Sequence, residues 1–188
     1  MLKFIGFYDY TVLLTYLSLI SAVIGMVQAS KEHFTAAVVC LLISGICDAF
    51  DGKVARSKKN RTEDEKAFGI QLDSLCDCVS FGVCPAFICY HMGVNSLFGI
   101  VCMCIFCLCA VIRLAYFNVM EIKRQQIEEG CNTYYQGLPV TAISIIFPFI
   151  YLFRSMVAEN IFTIVLHIML LLVAFLFVYD FKVKKIKF

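Results

Sequence analysis

The sequence predicts an all-α polytopic membrane protein, and three observations lead there. Of 188 residues, 61% are apolar and only 16% charged, with a mean hydropathy of +0.85. A soluble domain carries about 45–50% apolar and roughly 25% charged residues, so this chain lacks the polar coat that water requires. Stretches free of Asp, Glu, Lys and Arg run over 10–30, 33–47, 78–112, 130–153 and 160–179, and about 20 apolar residues cross the hydrocarbon as a helix. The basic residues, finally, are distributed unevenly between the segments that join these stretches. The same composition excludes a disordered chain, and no repeat of solenoid length is present. Residues 1–188 read as a single membrane domain.

Six helices are expected, near 9–28, 34–56, 68–91, 96–118, 139–157 and 160–180. The first follows directly from its charge-free run. The second has a short run, 33–47, but continues in helical register through Asp48 to Arg56. The run 78–112 is too long for one span, and His91-Met92-Gly93-Val94-Asn95 supplies a turn that divides it into helices three and four. Pro139 suits the start of the fifth helix. Pro85 and Pro148 fall within spans, where membrane helices tolerate proline as a kink. Residues 1–8 are too short and too weakly basic for a cleavable signal peptide and are expected to form a small interfacial helix. Glu63-Asp64-Glu65 reads as a solvated loop.

An even number of spans places both termini on one side of the membrane. The segments on that side hold 14 of the 16 Lys and Arg, Arg113 included, and only Lys31 and Arg154 lie on the other. The excess of positive charge makes that side cytoplasmic, giving a multi-pass protein of the cell membrane with both termini inside. Lys58, Lys59, Arg61, Lys123, Arg124, Lys182, Lys184, Lys185 and Lys187 serve mainly as topology determinants facing anionic headgroups. With no Trp, the nine Tyr act as interfacial anchors. A net charge of +2 gives no pointer to nucleic acid, and none is expected as a partner. Most of the 11 cysteines lie inside apolar runs without zinc-ligand spacing, so they are expected to be reduced packing residues. His33, His91 and His167 are scattered and carry no assigned role.

Four carboxylates break the pattern. Asp48 and Asp51 lie near the end of helix two, Asp73 and Asp77 near the start of helix three, all at similar depth close to the cytoplasmic face. A carboxylate costs up to about 2.5–3.5 kcal/mol at mid-bilayer, and each close pair adds repulsion of about 4 kcal/mol at an effective dielectric of 20. Arg56 alone cannot neutralise four charges, whereas divalent cations can, and hard oxygen donors suit Mg²⁺, Mn²⁺ or Ca²⁺. The i, i+3 and i, i+4 spacings put each pair on one helix face. Gly45, Ala49, Gly52 and Ala55 form a stripe of small residues beside them, and Gly69 extends the row of Asp73 and Asp77. Such residues let helices approach closely or leave a slot for a flat ligand.

The pattern Asp48-x2-Asp51-Gly52-x2-Ala55-Arg56-x12-Gly69-x3-Asp73-x3-Asp77 is similar to the motif of the CDP-alcohol phosphotransferase family, which usually has about eight residues where this chain has the twelve of SKKNRTEDEKAF. Residues 73–86, Arg113 to Val119 and Gly137-Leu138-Pro139 resemble the phosphatidylserine synthase branch. The first helix departs from that branch, offering Thr15-Tyr16-Leu17-Ser18 where an Asn-containing polar stretch is common.

The resemblance implies transfer of a phosphatidyl group from CDP-diacylglycerol to L-serine with release of CMP, two divalent cations (Mg²⁺ or Mn²⁺), and a homodimer. It implies Asp48, Asp51, Asp73 and Asp77 as metal ligands, with Asp77 also the general base or the group that orients the acceptor hydroxyl. It also implies Asp48, Gly52, Ala55, Arg56 and Gly69 as the CDP-lipid site. Arg113, about a turn inside helix four, either holds an acceptor or phosphate anion or pairs structurally with one of the aspartates. The alternatives are a sibling transferase acting on glycerol 3-phosphate, inositol phosphate or another polar alcohol, and, outside enzymes, a cation transporter. A transporter predicts acids spread through the membrane depth or an inverted repeat, and the sequence has neither.

Overall fold

The structure is a computed structural model and describes residues 6–7, 10–58, 62–126 and 134–184. The expected interfacial helix over residues 1–8 falls almost wholly outside these residues, as do Lys59, Arg61, Lys185 and Lys187. The architecture is helical: α1 (Leu13–Ser30), α2 (Phe34–Ser57), α3 (Glu63–Asp77), α4 (Cys84–His91), α5 (Leu97–Gln126), α6 (Ile143–Tyr151) and α7 (Glu159–Val178). A stretch of π-helix, Cys78–Val83, joins α3 to α4, so Glu63–His91 is one continuous span of 29 residues. Among the described residues, five helical segments are long and apolar enough to cross a membrane: Leu13–Ser30, Phe34–Val54, Glu63–His91, Leu97–Ile122 and Glu159–Val178. The protein is therefore a multi-pass membrane protein. The sixth expected helix is a shorter apolar segment, Val140–Met156, whose α-helical part contains Pro148 and is flanked by 3₁₀ turns.

Local chemistry explains where the elements begin and end. Thr62 caps α3, its hydroxyl accepting from the Glu65 N–H (3.2 Å) while the Glu65 carboxylate accepts from the Thr62 N–H (2.8 Å). This capping box satisfies backbone donors that a free helix end leaves orphaned. It corrects the reading of Glu63-Asp64-Glu65 as a loop: these residues form the acidic first turn of α3, where the helix dipole favours them. The turn at His91 to Asn95 forms as expected, closed by Val94 N–H to Cys89 O at 3.0 Å, with Gly93 at φ 107°. Pro85 has no N–H and its ring presses on the carbonyl one α-turn back; the wider π turn immediately before it accommodates both effects. A two-stranded antiparallel ribbon was not expected: β1 (Tyr134–Gln136) pairs with β2 (Lys182–Lys184), Tyr135 opposite Val183.

Helices α1 and α2 run antiparallel along a seam of small residues. Ala22, Ala29 and Ala37 are buried there, and a Cβ on Gly25 would stand 3.1 Å from Cys40 Cβ and 3.2 Å from the Ala37 carbonyl oxygen. Hydroxyls fasten the seam: Ser18 Oγ and Ser44 Oγ share a hydrogen bond of 2.8 Å, and Ser21 Oγ donates to Cys40 O at 2.8 Å. In lipid, where apolar contact gives little driving force between helices, close backbones and interhelical hydrogen bonds hold the pair. The centre of the molecule is filled by Phe81, Ile88, Phe106, Phe147, Leu170 and Phe177, all buried. Leu97, Leu108, Ile145 and Leu172 point outward, as a bilayer-facing surface requires. The ten described cysteines are free thiols, and two donate to interior carbonyls, Cys84 Sγ to Ala22 O at 3.5 Å and Cys107 Sγ to Gly82 O at 3.4 Å.

Candidate active site

The last two turns of α2 and the last two of α3 meet beside the N-terminal end of α1, and the four aspartates lie there. Oxygens of Asp48, Asp73 and Asp77 all fall within 4.8 Å of one another. Asp51 stands at the rim of this triad: its carboxyl reaches that of Asp73, as Asp48 reaches Asp77, and its Oδ2 accepts from Thr15 Oγ1 at 3.1 Å. Asp77 is buried, while Asp48, Asp51 and Asp73 are half-buried.

No lysine or arginine pairs with Asp48, Asp73 or Asp77 among the described residues, and the buried Asp73 Oδ1 has no hydrogen-bond partner. An unsatisfied carboxylate oxygen inside a cluster of acids is costly unless a cation completes it. The donor set is entirely hard carboxylate oxygen, which suits Mg²⁺ or Mn²⁺. The residues present therefore fit a divalent-cation centre.

The surrounding elements hold this geometry. Gly45, one turn before Asp48 on α2, has no room for a side chain, since a Cβ there would overlap Ser144 Oγ at the start of α6. Ser74, the neighbour of Asp73, donates to Asn118 Oδ1 at 2.7 Å and ties α3 to α5. Lys58 bridges to Glu65 at 3.3 Å across the loop between α2 and α3. The residues between Arg56 and Gly69 thus include the capped first turns of α3, which places the longer spacing largely in helix. Gly52 is half-buried one turn beyond Asp48, and Gly69 is half-buried one turn before Asp73. Ala55 and Arg56 belong to the last turn of α2, and their side chains lie outside the described structure.

Arg113 is 8% exposed. Its Nε donates to Leu138 O at 3.2 Å, and it makes no ion pair with any of the four aspartates. Structural pairing with the acids was one of the two sequence readings, and no such pair is formed among the described residues. The acceptor it does find is held by backbone: Gly137, at φ 70°, donates to Phe181 O at 2.7 Å, and Leu138 N–H reaches Leu176 O at 3.2 Å. A Cβ on Gly137 would come within 3.2 Å of Tyr179 O, so glycine is needed for both conformation and space.

Thr15, Ser74 and Asn118 lie within stretches named in the sequence, but none of them is assigned a role there. Thr15 had a signal: with Ser18, Ala22, Gly25 and Ala29 it forms a row of small and polar residues at spacings of three and four in a helix otherwise rich in Leu and Ile.

The sequence model of the CDP-alcohol phosphatidyltransferase family matches residues 10–179. The chain belongs to this family. Among relatives of this phosphatidyltransferase-family chain is the CDP-diacylglycerol–serine O-phosphatidyltransferase of Saccharomyces cerevisiae, 35% identical over 135 residues, which cover 70% of this chain and 48% of that protein. The enzyme of the same name from Methanocaldococcus jannaschii is 34% identical over 108 residues, 57% of this chain and 49% of that one. The archaetidylserine synthase of Methanothermobacter thermautotrophicus is 30% identical over 141 residues, 74% of this chain and 56% of that one. The chain spans about half the length of these curated relatives. No solved structure matches it significantly.

Proposed function

We propose that the protein transfers a phosphatidyl group from CDP-diacylglycerol to the hydroxyl of L-serine and releases CMP. The observation that supports this most directly is the convergence of Asp48, Asp73 and Asp77, with Asp51 at the rim, in a chain whose relatives are named for that reaction. The archaetidylserine synthase among them leaves the diacylglycerol backbone as the feature to test against an ether-linked donor.

Asp48, Asp51, Asp73 and Asp77 would hold two divalent cations, Mg²⁺ or Mn²⁺, which when bound neutralise charge on the pyrophosphate and on the attacking and leaving oxygens. Gly52, Ala55 and Gly69, with Asp48, would line the slot for cytidine, and Arg56 would contact the pyrophosphate. The serine oxygen bonds to the phosphatidyl phosphorus, the bond from that phosphorus to the bridging oxygen breaks, and the electron pair leaves with CMP. Asp77 accepts or orients the hydroxyl proton. Arg113, whose Nε donates to Leu138 O, would hold the serine carboxylate or a phosphate with its guanidinium. The site opens on the cytoplasmic side, both termini lie on that side, and the protein acts in the cell membrane as a homodimer.

The test is CMP release by purified protein with CDP-diacylglycerol, an ether-linked CDP-lipid, and a panel of L-serine, glycerol 3-phosphate, inositol phosphate and inositol. Serine-dependent, metal-dependent release is expected. Release with another alcohol but not serine would replace the acceptor, and release without metal would remove the mechanism.

A further inference from the structure

At the ends of the helices remote from the aspartates, the turns after α1, α4 and α6 surround a cleft of about 1310 Å³. It contains Arg154, one of only two basic residues that the sequence pattern places on this side of the membrane. The side chain is held in place: its Cζ lies 4.8 Å from the Phe34 ring centroid and 5.8 Å from that of Tyr151. Its Nη1 donates to Tyr151 Oη at 3.4 Å, and that hydroxyl shares a hydrogen bond of 2.9 Å with Thr35 Oγ1. Glu32 and Glu159 line the same cleft, yet neither pairs with Arg154 among the described residues. Glu32 is held at φ 62°, a conformation that side chains other than Gly and Asn rarely adopt.

A cation held against two rings, with two carboxylates lining the same cleft and forming no ion pair with it among the described residues, matches a ligand bearing both charges. A guanidinium stacked in this way keeps hydrogen-bond donors free for a phosphate. Leu152 and Ile164 also line the cleft and are 71% and 58% exposed, so one wall continues into the bilayer-facing surface where acyl chains lie. We propose that this cleft binds the headgroup of an amine-bearing phospholipid of the leaflet opposite the aspartates, its phosphodiester on Arg154 and its ammonium between Glu32 and Glu159. The site is separate from the transferase centre and does not depend on the reaction assigned to it.

Native mass spectrometry of the purified protein tests this with dioleoylphosphatidylethanolamine, dioleoylphosphatidylglycerol and soluble phosphoethanolamine. The wild type should retain the ethanolamine lipid at about tenfold lower concentration than the glycerol lipid, and Arg154→Gln should lose about tenfold in retention, the size expected for one charge-assisted hydrogen bond. The unfolding temperature in detergent should be unchanged in that variant, which serves as the check on folding. If Arg154→Gln fails to fold, Glu32→Gln/Glu159→Gln carries the test and should abolish the preference between the two lipids. Equal retention by Arg154→Gln, equal retention of both lipids by the wild type, an undiminished preference in the double variant, or competition by phosphoethanolamine at the concentration of the lipid would each overturn the proposal.

Discussion

Asp77 is the most enclosed of the four carboxylates, 7% exposed, and it closes a triad in which every donor is an oxygen. Its replacement by Asn keeps the shape and one oxygen but would remove the proposed proton acceptor. Asp77→Asn is expected to lower the rate of CMP release by about 10²–10⁴-fold while CDP-lipid is still bound, measured by single-turnover assay and by binding of a non-hydrolysable CDP analogue. In the proposed centre Thr15 would act through Asp51, whose Oδ2 accepts from its hydroxyl. Outer hydrogen bonds to metal ligands are worth about 10–100-fold in affinity. Thr15→Val should therefore weaken Mn²⁺ binding by about that factor in a titration followed by electron paramagnetic resonance, and Thr15→Ser should restore it. The carboxylates were legible because charge at that depth has few structural explanations. The Thr15 contact was not, because a threonine in a membrane helix often bonds to its own backbone, and only the antiparallel register of α1 on α2 brings it to Asp51.

At the level of elements, helix positions could be read from hydropathy because lipid imposes one strong rule on every span. Five expected helices coincide with α1, α2, the α3–α4 span, α5 and α7 to within several residues. The early start of α3 depends on a capping box whose letters, Thr62 and Glu65, were present in the sequence but were outweighed there by their polarity. The π-helical stretch and the β1–β2 ribbon were not legible: the first depends on how Pro85 is accommodated, the second on backbone pairing between segments 45 or more residues apart. The contact of α2 with α6 offers the sharpest test at this scale. Gly45→Val would drive a side chain into Ser144 Oγ, and overpacking of this kind costs about 1–3 kcal/mol. A lower unfolding temperature in detergent is expected, with partial recovery in Gly45→Val/Ser144→Gly, because the two positions compete for one space.

For the whole molecule, the acids and the Arg154 cleft occupy opposite ends of the same helices, so sidedness follows from either. A cysteine placed at Ser155 should react with an impermeant maleimide in intact cells, and one at Thr62 only after permeabilisation; the reverse pattern would invert the proposed orientation. Cation binding should also stabilise the fold as a whole, since three facing carboxylates repel one another without it. Raising free Mg²⁺ or Mn²⁺ to about 100 times its dissociation constant is expected to add about 2.7 kcal/mol to stability, read as a higher unfolding temperature that a chelator reverses. Asp48→Asn/Asp73→Asn should abolish that gain.

The π-helical stretch between Asp77 and Cys84 has a consequence for the span that contains it. Each α-helical residue turns the chain by about 100°, and a wider turn takes roughly one extra residue without advancing the side chains around the axis as an α-helix would. The span therefore behaves as two helices with different angular offsets on a shared axis. Its first half aims Asp73 and Asp77 at α2, and its second half aims Ile88 and Cys89 at the core. A uniform α-helix over the same residues would set the segment after Pro85 at a different angle about the axis relative to the acids. The wide turn is a phase adjuster, and it lets one membrane crossing serve the chemistry at one end and the packing at the other.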